Sequence, residues 1–286
     1  MHVEFSRNAA SALLRLIKIL RAGPTVNLQS SVADIPHQVA PFPITFVFGE
    51  PSERTIPFDW WGANPFASFL GGIETISAVA ANMEGVDIHS SYTCEIGMGG
   101  IAGQTITFKR SLTDKLDLMV FERDRIDLGS LFGRSMCNCT MLQEFLAAHF
   151  GIPVGVYSHI VPDVVAQQAT LPKVLKTDSP YDSGTVAKYE MIQDSGVFLR
   201  DARMLASEGV TLGIKDPFVR HVAVPLYNAF KILHTGDDVS RFALALEAAG
   251  RCRASDWRYC CQEFVRRITQ QYLMDLVPPE KQGLMN

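Results

Sequence analysis

The chain has 286 residues, 47% hydrophobic, 20% charged and 9% aromatic, enough apolar side chains for a buried core and too many for general disorder. Its 26 basic and 30 acidic residues leave a net charge of −4, which gives no global drive toward nucleic acid or an anionic membrane. Six cysteines are too few to frame a disulfide scaffold of this length, and they point to a reducing compartment, the cytoplasm.

In chain order, residues 7–21 (RNAASALLRLIKILR) are apolar and basic, a little like a signal peptide, but Arg15 and Lys18 interrupt the run. Leu13, Leu14, Ile17 and Leu20 recur at helical spacing and predict an amphipathic helix packed on a core. No stretch approaches the roughly 20 apolar residues of a membrane span, so a membrane is not expected among the partners. Gly23-Pro24 breaks the helix, and residues 39–48 (VAPFPITFVF) alternate and favour β-branched and aromatic types, which predicts a strand. Asn64-Pro65 reads as an N-cap followed by proline at the first helical position, opening a helix over 65–83 with Phe66, Phe69, Leu70, Ile73 and Ile76 on one face.

Residues 90–103 are Gly-rich and read as irregular. Strands are expected over 105–109 and 116–122, joined by a turn through Thr113 and Asp114. Residues 124–135 look like loop, 138–150 like an apolar helix ended by Gly151, and 155–159 like the start of a strand. A connecting segment over 171–184 precedes helical patterns at 217–233, 237–249 and 255–276, the last two opened by Asp or Ser. With no internal repeat and no linker, the expectation is a single α+β domain over 1–286, with a sheet and helix core at 61–170 and a helical portion at 200–286.

Several stretches together resemble the thymidylate synthase family in its phage and bacterial form. They are the leading helix, Pro43-Ile44-Thr45-Phe46, Glu53-Arg54, Ala63-Asn64-Pro65-Phe66 and Thr140-Met141-Leu142-Gln143-Glu144. Val156-Tyr157-Ser158-His159 followed by Asp163 continues the series, as do Asp216-Pro217-Phe218, Val224-Pro225-Leu226 and Asp256-Trp257. The resemblance implies a mixed α/β sheet domain that dimerises through its sheet. It also implies one-carbon transfer from methylenetetrahydrofolate to C5 of a pyrimidine nucleotide, with a cysteine thiolate adding to C6, arginines clamping the phosphate and an Asn reading the base.

The ligand-touching positions depart from that pattern. The family's nucleophile sits about six residues before a Phe. Counting back from Phe108 reaches Ala102, and Cys94 is the nearest thiol along the chain. The Arg-Ser-x-Asp phosphate motif reads Arg123-Asp124-Arg125 here, so Arg123 or Arg125 would meet a phosphate beside a carboxylate. The base-reading Asn would fall at Gly133, Arg134 or Ser135. The family's second His and its Tyr are Val165 and Gln167, and its N-terminal phosphate Arg is replaced near Gln29 and Ser30. Only about twenty residues separate the helix over 65–83 from Thr105, where the family carries a far longer segment. Scaffold positions match and ligand positions do not.

Other candidates read as structural. Cys137-Asn138-Cys139 lacks the further ligands a metal site needs, Cys252 and Cys260-Cys261 read as buried thiols, and Gly97-Met98-Gly99-Gly100 reads as a tight connection. His159 and Asp163 read as a hydrogen-bonded pair that in the family helps order the active site. Arg251, Arg253, Arg258, Arg266 and Arg267 read as a solvated helix face or as a docking site for an acidic protein or nucleic acid.

The reading favoured is a thymidylate-synthase-like pseudoenzyme. It would be a homodimeric binding protein with residual pyrimidine-nucleotide binding through Arg123, Arg125, His159 and Asp163, and with no cofactor or metal. The alternatives are an active C5 methyl- or hydroxymethyltransferase with Cys94 as a displaced nucleophile, for which methylenetetrahydrofolate would be the donor, or new nucleotide chemistry on the same scaffold.

Overall fold

The computed structural model describes residues 2–29, 34–49, 64–83, 85–88, 91–98, 101–167, 192–235 and 239–275. It is an α+β fold with two mixed sheets. The strands are β1 (His2–Ser6), β2 (Thr25–Gln29), β3 (Asp34–Val39), β4 (Ile44–Phe48), β5 (Tyr92–Met98), β6 (Ile101–Arg110), β7 (Leu116–Glu122), β8 (Ile126–Asp127), β9 (Val154–Val161) and β10 (Val164–Gln167). The helices are α1 (Ala9–Ala22), α2 (Pro65–Ala80), α3 (Leu128–Ser130), α4 (Met136–Phe150), α5 (Ser195–Arg203), α6 (Val224–Thr235), α7 (Ser240–Gly250) and α8 (Ser255–Asp275), with π-helical turns at Leu131–Ser135, Met204–Glu208 and Val219–Ala223.

The larger sheet has the order β1-β4-β9-β7-β6-β5, and the smaller has the order β2-β3-β10-β8. Residues in register share a face, and Phe46, His159, Val120, Ile106 and Cys94 form one such row across the larger sheet. This inner face meets the buried sides of α1, α2 and α4. Phe46, Phe48, Phe69, Phe108, Phe132 and Tyr157 fill a core that continues into the C-terminal helices as far as Cys261.

The opposite face of the sheet carries two further rows. Phe5, Val47, Ser158, Met119 and Thr107 form one, and Val3, Thr45, Ile160, Phe121 and Thr105 the other. Val3, Phe5, Met119 and Phe121 on this face, with Val156 beyond them, are exposed large apolar side chains.

Local chemistry accounts for the boundaries. Asn8 caps α1 by accepting the Ser11 N–H, and Asn64 caps α2 by accepting from Phe66, with Pro65 at the first helical position. Gly151, at φ 66°, closes α4 in the left-handed conformation that glycine adopts without penalty.

The structure corrects several expectations. Residues 124–135 are not a loop. Asp127 caps a helix by accepting the Ser130 N–H, and the helical run then continues without a break from Leu128 to Phe150. Residues 92–98 and 101–103, read as irregular, belong to β5 and β6, which pair with Met98 opposite Ile101, because Tyr92, Cys94, Ile106 and Phe108 pack inward. Residues 39–48 divide at Pro41 and Pro43 into the end of β3 and the whole of β4, which lie in different sheets. β1, β2, β8 and β10 were not anticipated. The connecting segment over 171–184, Glu53-Arg54 and the cap expected at Asp237 lie outside the described residues. Among the described residues no helix is long and apolar enough to cross a membrane, and no group of three metal-ligating side chains forms.

Candidate functional site

Strands β7 and β9 run parallel at the centre of the larger sheet, so their C-terminal ends lie together. Two layers of polar side chains occupy this end.

The outer layer holds two expected phosphate ligands. Arg123 follows β7, lies over Gly103 and is ion-paired with Glu95 of β5. Arg125 Nε donates to Asp163 Oδ2 at 2.5 Å across the link between β9 and β10. Both arginine side chains are about half exposed (42% and 47%). Such exposed pairs contribute roughly 0–1 kcal/mol each, little enough for a phosphate dianion offering bidentate contacts to displace the carboxylate.

The inner layer is a sealed network. Glu122 Oε1 accepts from Gln104 Nε2 at 2.6 Å, Ser135 Oγ at 2.6 Å and His159 Nε2 at 2.9 Å. A carboxylate can only accept, so Nε2 of His159 carries the proton. Nδ1 lies 2.6 Å from the Tyr157 hydroxyl, accepting from it in the neutral ring and donating to it in the imidazolium. Cys139 donates weakly to Gln104 Oε1 at 3.6 Å. Glu122 and His159 are 1% and 0% exposed. Glu122 Oε2 accepts no hydrogen bond from the described residues.

Burial alone would push the Glu122 carboxyl upward. The hydrogen bonds from His159, Ser135 and Gln104 and the attraction of His159 outweigh it and hold the carboxyl below its ordinary value. Burial pushes the Cys139 thiol and the Tyr157 phenol well above their ordinary values. The network can hold a charge and fix an orientation, but it presents nothing to a ligand in solution.

The structure therefore places the expected residues in separate settings. Arg123, Arg125 and Asp163 reach the surface, whereas His159 is interior. His159 and Asp163 are not each other's partners, because His159 bonds Glu122 and Tyr157 while Asp163 bonds Arg125. Cys94 sits half-buried on the edge strand, in the row of His159 but three strand spacings from it, about 14 Å at the usual spacing. Burial raises its thiol pKa, which disfavours the thiolate. Gly133 and Ser135 are buried and Arg134 is exposed; Val165 is buried in β10, and Gln167 ends that strand.

Gln104, Glu122, Ser135 and Tyr157 stand outside the site residues expected from sequence, while Cys139, read as a structural thiol, is buried. For Glu122 and Gln104 the signal is a polar side chain at an inward position of an alternating strand. Glu122 follows Leu116, Leu118 and Val120 in β7, and Gln104 precedes Ile106 and Phe108 in β6.

The chain resembles a phage enzyme. It is 26% identical over 174 residues to deoxyuridylate hydroxymethyltransferase of Pseudomonas phage M6, a match covering 56% of this chain and 50% of that relative. The match thus spans about half the length of the curated relative. No protein-family profile matches the chain. The distant similarity supports a thymidylate-synthase-like scaffold, in keeping with the mixed-sheet α+β architecture.

Proposed function

We propose that this protein is a thymidylate-synthase-like, homodimeric binding protein that no longer performs folate-dependent one-carbon transfer and retains pyrimidine-nucleotide binding through Arg123 and Arg125. The observation that carries this reading is the state of the thiols beside the sheet end. Cys139 is sealed in the polar network and Cys94 is half-buried on the edge strand, and burial disfavours the thiolate of both. C6 addition needs a thiolate that reaches the base.

Two further observations support the reading. The link from α2 to β5 is short, and Val86 and Ile88 within it pack on the core, where the family carries a far longer segment. The exposed apolar rows of the larger sheet suit a two-fold contact with a second copy, since a self-complementary sheet face buries the same side chains on both protomers.

Similarity to the phage enzyme favours a second reading, an active pyrimidine C5 transferase using Cys94 and methylenetetrahydrofolate. Calorimetric titration with dUMP, dCMP, UMP and CMP, each with and without a tetrahydrofolate, tests the first reading. Saturable binding of one nucleotide, weakened at least about tenfold in Arg125→Ala and indifferent to the folate, is the expected result. Absence of binding to all four would remove the nucleotide from the account. Turnover that is abolished in Cys94→Ala with the fold intact would establish the second reading.

A further inference from the structure

The C-terminal helices build a groove that the sheet end does not use. α6 and α7 pack together, and between them lies a groove of about 390 Å3 lined by Val224, Pro225, Ile232 and Leu244, with Lys231 and Arg251 supplying its positive charge. Leu244 is 51% exposed. Glu247 is the one acid of the lining, and it is already paired with Arg251 one turn away.

Arg251 leads into the turn before α8, and there the cations gather. The Arg253 backbone N–H donates to the His221 carbonyl oxygen at 3.0 Å, tying this turn to the π-helical segment Val219–Ala223. Burial, then the guanidiniums of Arg253 and Arg220, hold the His221 imidazole below its ordinary pKa, as a ring facing two cations should be. Arg220, Arg253 and Lys231 are exposed, and among the described residues none of the three forms an ion pair. An apolar trough thus ends in a positive cluster contributed by two separate segments, with Arg220 and Arg253 in no ion pair among the described residues, on a chain whose net charge is negative.

We propose that this groove docks an acidic amphipathic helix of a partner protein. Its apolar side chains lie against Val224, Ile232 and Leu244, and its carboxylates meet Lys231, Arg220 and Arg253. A helix laid in a seam between two helices is a recurrent recognition mode, with apolar anchors supplying affinity and flanking charges the register. Nucleic acid fits less well. No aromatic side chain lines the groove to stack a base, and a phosphate backbone would use the charged end and leave the trough empty.

The test is fluorescence anisotropy with the full chain and a labelled synthetic peptide, an amphipathic helix with leucine on one face and glutamate elsewhere. The controls are the same residues in scrambled order and a single-stranded oligonucleotide of equal length. Saturable binding at micromolar concentration is expected, at least about tenfold weaker for the scrambled peptide, for Leu244→Glu and for Arg220→Glu combined with Arg253→Glu. Circular dichroism confirms that each variant is folded. Should Leu244→Glu fail to fold, the scrambled peptide still isolates the apolar contribution.

No saturation, equal binding of the scrambled peptide, or tighter binding of the oligonucleotide would each overturn the proposal. Titration of the same variants with the pyrimidine nucleotides is expected to match the unaltered protein, so this inference and the nucleotide reading fail separately.

Discussion

Among the described residues Glu122 takes three hydrogen bonds on one oxygen and none on the other, in a position 1% exposed. A buried charge held this way is costly to disturb, because removing it leaves donors aimed at nothing. Glu122→Gln keeps the shape and removes the charge. It is expected to lower the unfolding free energy at pH 7 by about 2–4 kcal/mol in denaturant titration. The carboxyl is held below its ordinary pKa when folded, so its contribution is present above the unfolded value near 4.3 and is lost as pH falls below it. The gap between variant and parent should therefore narrow below about pH 4; a gap independent of pH would contradict the assignment of charge. The same residue shows what was legible in sequence. Strand β7 was expected with its observed bounds, and its alternation places Glu122 inward, but nothing local says that Gln104, Ser135 and His159 converge on it from two other strands and a helix. His159 pairs with Glu122 and Tyr157 and not with Asp163, although sequence proximity favours Asp163 over a residue 37 positions away.

At the scale of elements, close approaches and caps decide what can be substituted. Gly155 and Val156 of β9 together face Asp117 of β7 in a bulge, and Asp117 Oδ1 accepts the Val156 N–H at 2.9 Å. A Cβ at Gly155 would lie 2.8 Å from the Leu116 carbonyl oxygen, and backbone there cannot give way without breaking the central pairing. Gly155→Ala is expected to cost about 2 kcal/mol or more in thermal unfolding, and a neutral result would contradict the register described. Asp216 supplies a second test. It caps the helical turn by accepting the Val219 N–H at 2.9 Å, and burial, joined by repulsion from Asp201 and Asp194, pushes it up to about 6. A carboxyl raised in this way destabilises the fold when ionised, a cost complete above pH 6 and relieved as pH falls toward 4. Asp216→Asn keeps a capping side chain and is expected to raise stability at pH 7 by on the order of 1–3 kcal/mol, with the gain fading toward pH 4. These features also mark where sequence reading stops. Helices announced by Asn-Pro or ended by Gly were placed well. The start of the long central helix was missed because its first turns, around Gly129 and Gly133, carry poor helix formers, and packing of Leu131 and Phe132 in the core overrides their propensity.

For the whole molecule, the buried cluster that runs from Ala9 to Cys261 implies that sheet and C-terminal helices unfold together. Calorimetric unfolding is expected to give one transition, as the single-domain expectation requires; two separated transitions would divide the chain. The exposed rows of the larger sheet make dimerisation testable by substitution. Phe121→Lys is expected to shift the sedimenting species from dimer to monomer, and a parent protein already monomeric at micromolar concentration would remove the sheet interface from the account. The scaffold was legible because apolar periodicity and capping residues encode it locally. The site was not, because it depends on which side chains the register brings to the same end of the sheet. The central claim concerns chemistry, and the most direct measurement is mass spectrometry of dUMP and dCMP after incubation with the protein and methylenetetrahydrofolate. The account predicts that both nucleotides are recovered unchanged. A product one carbon heavier, absent when Cys94→Ala replaces the parent protein, would contradict it.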